Sequence, residues 1–243
     1  MIEYDIQLRY LARIYCDQPQ TLADADFLSG VSRALEVDRL TISPGVDLTP
    51  TGVVNRMLFV SPSGEWMVSI LGESVDIAHR GSLDQPVTPF ENFCRLASSA
   101  AAVVVGQSRE TQPHRLALLS EGFLPQTKIE DFDRMAGQLL RLPRLFRPAP
   151  WEWDWRAVTT VRRDFGSVSE DTNTLVTAKR ISGTFKPNHE PFDRIRMDFD
   201  INTSPADTQP RFETDDVADF FRRGASWHSE LRSEMGAFLA ESV

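Results

Sequence analysis

The sequence predicts an α+β protein in which antiparallel sheets carry helices packed on one face, arranged as two similar halves. Three observations carry that prediction. Apolar and polar residues alternate with the period of two that marks half-buried strands, in segments spread along the chain. Short turn signals such as Ser61-Pro62-Ser63-Gly64 join several of these segments directly, as antiparallel meanders require. Two amphipathic helices, opening near Thr88 and Thr214, each close such a meander. The composition, 41% hydrophobic and 25% charged over 243 residues, is that of a globular chain long enough to bury a core without disulfides.

Tyr4, Ile6, Leu8, Tyr10, Ala12 and Ile14 alternate with mostly polar residues and form the first expected strand. Residues 21–37 follow as a helix, with Leu22, Ala25, Leu28, Val31 and Leu35 on one face and Gly30 weakening it. Four strands come next. They are 40–48, interrupted by Pro44-Gly45, then 53–60, 66–71 and 75–79. In the following helix Thr88 is the expected N-cap, Pro89 the first helical residue and Glu91 the side chain reaching back to the cap. Its apolar stripe runs from Phe90 to Val104, and its small residues, Ala97 to Ala102, suit close packing on a sheet.

A short strand at 114–119, ended by Gly122, leads to a helix over 129–142. Pro143, Pro148 and Pro150 then mark the division into an N-terminal half, 1–146, and a C-terminal half, 147–243, which can also form one continuous domain. Strands are expected at 151–163, 175–185 and 195–201. Thr214 is the expected cap of a final helix whose first turn holds Asp215 and Asp216, where carboxylates complement the helix dipole. The second meander and its capped helix thus echo the first.

Acidic residues outnumber basic ones 35 to 26, and the net charge of −9 disfavours nucleic acid and anionic membranes as partners. Arginine dominates the basic residues, a bias read as GC-rich coding. Cys16 and Cys94 lie 78 positions apart in apolar surroundings, so buried free thiols in a reducing cytoplasm are expected. No basic-then-apolar leader opens the chain, and the longest apolar run, 100–105, is too short to span a bilayer.

The search for chemistry yields little. No P-loop, dinucleotide fingerprint, HExxH or GxSxG pattern occurs, and His79, His114, His189 and His228 have no second His or Cys at ligand spacing. No catalytic residue, metal ligand or cofactor is therefore assigned. Asp198 and Asp200 share one face of a strand with Arg194 and Arg196. They read as a solvated polar face, with a divalent-metal enzyme as the competing reading. Residues 134–163 hold seven arginines, two acids and the alternating Trp151, Trp153 and Trp155. Three readings of this segment stay open: tryptophans filling a sheet core, an Arg/Trp protein-binding anchor, and single-strand nucleic-acid binding by charge and stacking.

The segments Phe59–Ile70 with Val75-Asp76-Ile77, Thr88-Pro89-Phe90-Glu91-Asn92-Phe93, and Met197–Ile201 with the helix from Thr214 resemble a group of bacterial proteins whose fold is similar to the export chaperone SecB. The resemblance implies a chaperone-like or antitoxin-like adaptor that holds apolar, extended segments of another protein encoded nearby, in some cases within a defence system; separately, a net acidic chain with one basic segment can self-associate through it into a homo-oligomer. The resemblance carries over no individual residue. On the residues alone, the partner-binding candidates are Phe146, Arg147, Trp151, Trp153 and Trp155. The alternative function is a nucleic-acid-binding accessory protein using the Arg134–Arg163 segment.

Overall fold

A computed structural model describes residues 2–17, 24–49, 52–81, 86–107, 112–126, 128–140, 150–185 and 189–240, with all their side chains except those of 44–49 and 52–56. The fold is α+β, and the described residues form nine strands in one antiparallel sheet and four helices. The elements run β1 (Ile6–Cys16), α1 (Ala25–Ala34), β2 (Thr41–Thr49), β3 (Gly52–Val60), β4 (Trp66–Leu71), β5 (Ser74–Arg80), α2 (Phe90–Gly106), β6 (Pro113–Phe123), α3 (Ile129–Leu140), β7 (Trp153–Phe165), β8 (Val168–Thr184), β9 (Pro191–Thr203) and α4 (Thr214–Ala240). The strand order is β2-β3-β4-β5-β1-β6-β9-β8-β7.

The expected plurality of sheets is therefore corrected to one. Its seam is the β1–β6 pairing, where Ala12 lies opposite Leu118 and Ile14 opposite Leu116. Both strands are apolar on the same side, so joining them extends one core instead of closing two. The expected division at 146/147 falls on residues outside those described, but the sheet runs through it, because β6 pairs with β9.

The core lies between the sheet and the helices. Tyr10, Ala12 and Ile14 of β1, Ile77 of β5, Leu116 and Leu118 of β6 and Met197, Phe199 and Ile201 of β9 meet Phe93, Ala97, Ala100 and Ala101 of α2 and Val217, Phe220 and Phe221 of α4. Small residues bring α2 and α4 together, and the Ser98 hydroxyl donates to the Ala218 carbonyl at 2.7 Å. Cys16 and Cys94 are buried free thiols, and burial pushes the Cys16 thiol up to about 12. No helix among the described residues is long and apolar enough to cross a membrane.

Several boundaries move for physical reasons. β6 runs through Gly122 because the Tyr4 ring packs where a side chain would project; a Cβ there would lie 2.4 Å from Tyr4 Cγ. The Tyr4 hydroxyl, 3.0 Å from the carbonyls of both Ser120 and Met197, bridges β6 and β9. At α2 the cap is Pro89, with no side-chain cap hydrogen bond, so the expected Thr88/Glu91 pairing is not formed. The Thr88 carbonyl instead accepts from the Tyr10 hydroxyl at 3.0 Å. At α4 the first helical bond runs from the Val217 N–H to the Glu213 carbonyl, which makes Glu213 the cap in place of Thr214. The first turn of α1 is capped by Asp24, whose carboxylate accepts from the Phe27 N–H at 2.7 Å; positions 21–23 of the expected helix lie outside the described residues.

Candidate binding surface

Helices cover one face of the sheet, and the other face carries its own pattern. Register aligns Val60, Met67, Ala78, Leu11 and Leu119 across β3, β4, β5, β1 and β6, and the row continues through Asp200, Leu175 and Val158 on β9, β8 and β7. Leu11, Met67 and Ala78 pack as a small second cluster. Asp200 thus interrupts an apolar row. Burial pushes its carboxyl above the ordinary carboxylate value, opposed by the Asn202 amide, which donates at 3.2 Å, and by the charges of Arg115, Arg156 and Arg13.

The flanking row is ionic. Arg9 meets Glu121 at 2.6 Å, Arg196 meets Glu121 at 3.4 Å and Asp198 at 2.8 Å, and Arg13 grips Asp76 with two bonds of 2.5 and 2.7 Å. Burial also raises the Asp198 carboxyl, against the pull of Arg196. A shallow depression of about 380 Å³ lies between Leu119, Arg156, Leu175, Lys179, Asp198 and Asp200. Among the described residues no group of three or more His, Cys, Asp or Glu is placed to hold a metal ion. Asp198 and Asp200 share the face opposite the helices, as their alternation implied, but both are half-buried there and not on a fully solvated face.

β7 is the outer strand, and its position is the feature that periodicity could not supply. It is 13 residues long, and residues 156–162 are exposed on both faces of the sheet. Val158 is 55% exposed and Val161 38%. Arg156 has no ion pair among the described residues, Arg162 meets Asp171 at 3.2 Å on the surface, and Arg163 lies half-buried over the Trp227 ring. The edge therefore presents β-branched side chains between arginines, with one row of backbone groups that has no strand partner among the described residues. A signal was present in the sequence: Val158-Thr159-Thr160-Val161 is a β-branched run that breaks strict alternation.

The strand is anchored at its far end. β7 and β8 join through Gly166-Ser167, with Gly166 at φ +54°, as a type II′ hairpin prefers. The first turns of α4 clasp this turn. Asp219 accepts from the Gly166 N–H at 2.8 Å, and Asp216 accepts from the Ser167 N–H at 2.7 Å and its hydroxyl at 3.1 Å. The sequence reading saw Asp216 only as a dipole partner. Its role here combines that with a tertiary clasp. Asp219 was not singled out. Burial pushes its carboxyl up, but the Gly166 N–H together with Arg222 and Arg223 holds it below the ordinary value.

The partner-binding candidates separate. Phe146 and Arg147 lie outside the described residues. Trp151 precedes β7 and is 71% exposed, whereas Trp153 is only 7% exposed and Trp155 is half-buried against the core. The idea of one exposed tryptophan anchor is corrected accordingly. Trp153 and Trp155 alternate onto the helix side of the strand, where Trp153 fills the core and Trp155 packs against it, and only Trp151 is largely exposed. Opposite Trp153, Arg180 is buried. It is closed by two bonds to Asp193 of 3.0 and 2.7 Å, donates to the Pro150 carbonyl at 3.0 Å and lies 4.2 Å from the Phe132 ring centre.

The described arginines of the 134–163 segment are dispersed. Arg134 bonds the Leu239 carbonyl and Asp131, while Arg156, Arg162 and Arg163 lie along β7. Arg141, Arg144 and Arg147 lie outside the described residues. No family model, curated protein or solved structure matches the chain.

Proposed function

We propose that this chain is a non-catalytic, chaperone-like or adaptor protein that holds an extended segment of a partner polypeptide by strand addition to β7. The observation that carries the reading is the edge itself: seven consecutive residues, 156–162, exposed on both faces of a 13-residue outer strand. Backbone hydrogen bonds supply affinity in such a pairing, and alternate side chains supply selectivity. The occupant is an extended segment whose acidic residues meet Arg156 and Arg162 on one face of β7 and whose β-branched residues meet Ala157, Thr159 and Val161 on the other. The charge of this edge chooses an acidic segment over a basic one.

The SecB-like, two-half architecture belongs to the same proposal, and strand order supports it. In β1-α1-(β2–β5)-α2 the first strand lies beside the last strand of its own meander, β5. In β6-α3-(β7–β9)-α4 the first strand again lies beside the last, β9. The two units meet antiparallel at β1 and β6, which supports a join between Gly106 and Pro113. The nucleic-acid alternative draws little support from these tryptophans, because Trp153 is buried in the core and Trp155 is packed against it, away from stacking on bases.

The test is fluorescence anisotropy with a labelled nine-residue peptide alternating Val or Thr with Glu, beside the same peptide with Lys for Glu. The Glu peptide is expected to bind and the Lys peptide to bind at least tenfold more weakly. Val158→Glu with Arg162→Glu, both exposed positions, is expected to remove binding without lowering the melting temperature. Equal binding of both peptides, unchanged binding by the double variant, or a β7–β7 dimer of the chain that excludes the peptide would each overturn the proposal.

A further inference from the structure

On the helix side, the N-terminal segment, the start of α2 and the middle of α4 line a cavity of about 340 Å³ that is open to solvent. That is within the size range of small-molecule sites. Its walls are mostly apolar or aromatic, including Ile2, Tyr4, Val87, Phe90 and Ala225, and Arg232 lies on it. We propose that this cavity binds a small monocarboxylate with an apolar body, the carboxylate seated on the Arg232 guanidinium.

Arg232 is half-buried, and no carboxylate of the described residues lies within ion-pairing distance of it. Its surroundings are aromatic. The guanidinium carbon is 4.4 Å from the Tyr4 ring centre, 5.3 Å from Phe90 and 5.6 Å from Phe199. Its hydrogen-bonding neighbours are neutral, the Ser120 hydroxyl at 3.0 Å and the Tyr10 hydroxyl, and the buried Nε has no acceptor among the described residues. Arg13 and Arg180, by contrast, are each closed by a bidentate aspartate. A charge withdrawn from water without a partner is unfavourable, and a bound anion relieves that.

The groups around Arg232 do not supply the anion. Burial holds the Tyr4 and Tyr10 hydroxyls protonated, and burial with the nearby Arg232 charge holds His228 neutral. The inner cavity therefore carries an uncompensated positive charge. Glu3 and Glu91 also line the cavity, and both are exposed. These two carboxylates repel every anion and a doubly charged one such as phosphate most strongly, so the ligand that fits carries a single negative charge placed on Arg232. The apolar walls then select a body of aromatic or branched aliphatic character. The start of α2, which lacks a side-chain cap, lies at the same cavity and adds a weak attraction of the same sign.

The test is calorimetric titration of the full chain with 3-phenylpropionate, its neutral amide 3-phenylpropanamide, and inorganic phosphate. Millimolar or tighter binding of the acid is expected, with the amide and phosphate at least tenfold weaker. Arg232→Met, which keeps the apolar stem, is expected to weaken the acid at least tenfold. Ser229→Phe fills the cavity from α4 while leaving Arg232 in place, and is expected to abolish binding with a folded far-ultraviolet spectrum. No heat with the acid, equal binding of acid and amide, preference for phosphate, or undiminished binding by either folded variant would overturn the assignment.

Discussion

The clasp between α4 and the β7–β8 hairpin makes a quantitative prediction for Asp216→Ala. Asp216 is 2% exposed and its carboxylate accepts three hydrogen bonds: the Ser167 N–H and hydroxyl through Oδ1, and the Glu213 N–H at 3.0 Å through Oδ2, with the Gly166 turn packed against it. Hydrogen bonds to an ionised group contribute about 1.5–3 kcal/mol each. Ser167 and Glu213 are exposed residues, so water replaces part of what is lost, and the expected total is about 3 kcal/mol. For a chain of this size that corresponds to a melting temperature lower by about 6–12 °C. Asp216→Asn keeps an acceptor oxygen and is expected to lose about half as much. Differential scanning calorimetry reads the total, and amide hydrogen exchange reads its location. Exchange is expected to accelerate at 164–168 and 213–217 and to stay unchanged at β2 and β3. A loss below about 1 kcal/mol, or acceleration spread evenly over the sheet, refutes the clasp.

Other substitutions separate core from surface and charge from packing. Trp153→Ala empties a buried aromatic site and is expected to destabilise by about 3–5 kcal/mol in urea unfolding, whereas exposed Trp151→Ala stays within about 0.5 kcal/mol. Asp193→Ala leaves the Arg180 guanidinium buried and unpaired, with an expected loss of about 3 kcal/mol, discounted because Asp193 is itself partly exposed. His228 stays neutral in the native state because it is buried beside Arg232, while the unfolded chain takes a proton near pH 6.5. The unfolded state therefore binds more protons below that pH, and stability falls with falling pH by about 1.4 kcal/mol per unit. His228→Gln is expected to flatten the stability profile between pH 6.5 and 5 by about 2 kcal/mol relative to wild type. His79, also held down by burial, retains its own slope in both proteins.

The strands and helices were legible because their periods are strong. Ile195, Met197, Phe199 and Ile201 alternate without a break, and α2 carries an apolar stripe flanked by polar residues. What periodicity omits is partnership. Nothing in the β1 or β6 pattern states that these two strands pair with each other, so the single sheet appears only in register. Gly122 reads locally as a strand terminator, yet the Tyr4 ring, 118 positions earlier in the chain, packs over it and makes it a strand residue. The tryptophans show the same limit from the other side. Alternation correctly puts Trp153 and Trp155 on one face, and only the fold says that this face is the inner one. The candidate edge was half legible: the residues of 151–163 were read as a strand, but that it lies outermost follows from the β7–β8–β9–β6 order.

The most direct measurement of the central claim is hydrogen exchange along β7 with and without the Val/Glu peptide. Strand addition predicts that alternate amides between Arg156 and Arg162, those facing away from β8, become protected on binding while the amides already bonded to β8 change little. Protection confined to the uncovered sheet face or the helices, with the β7 edge still exchanging freely, would contradict it.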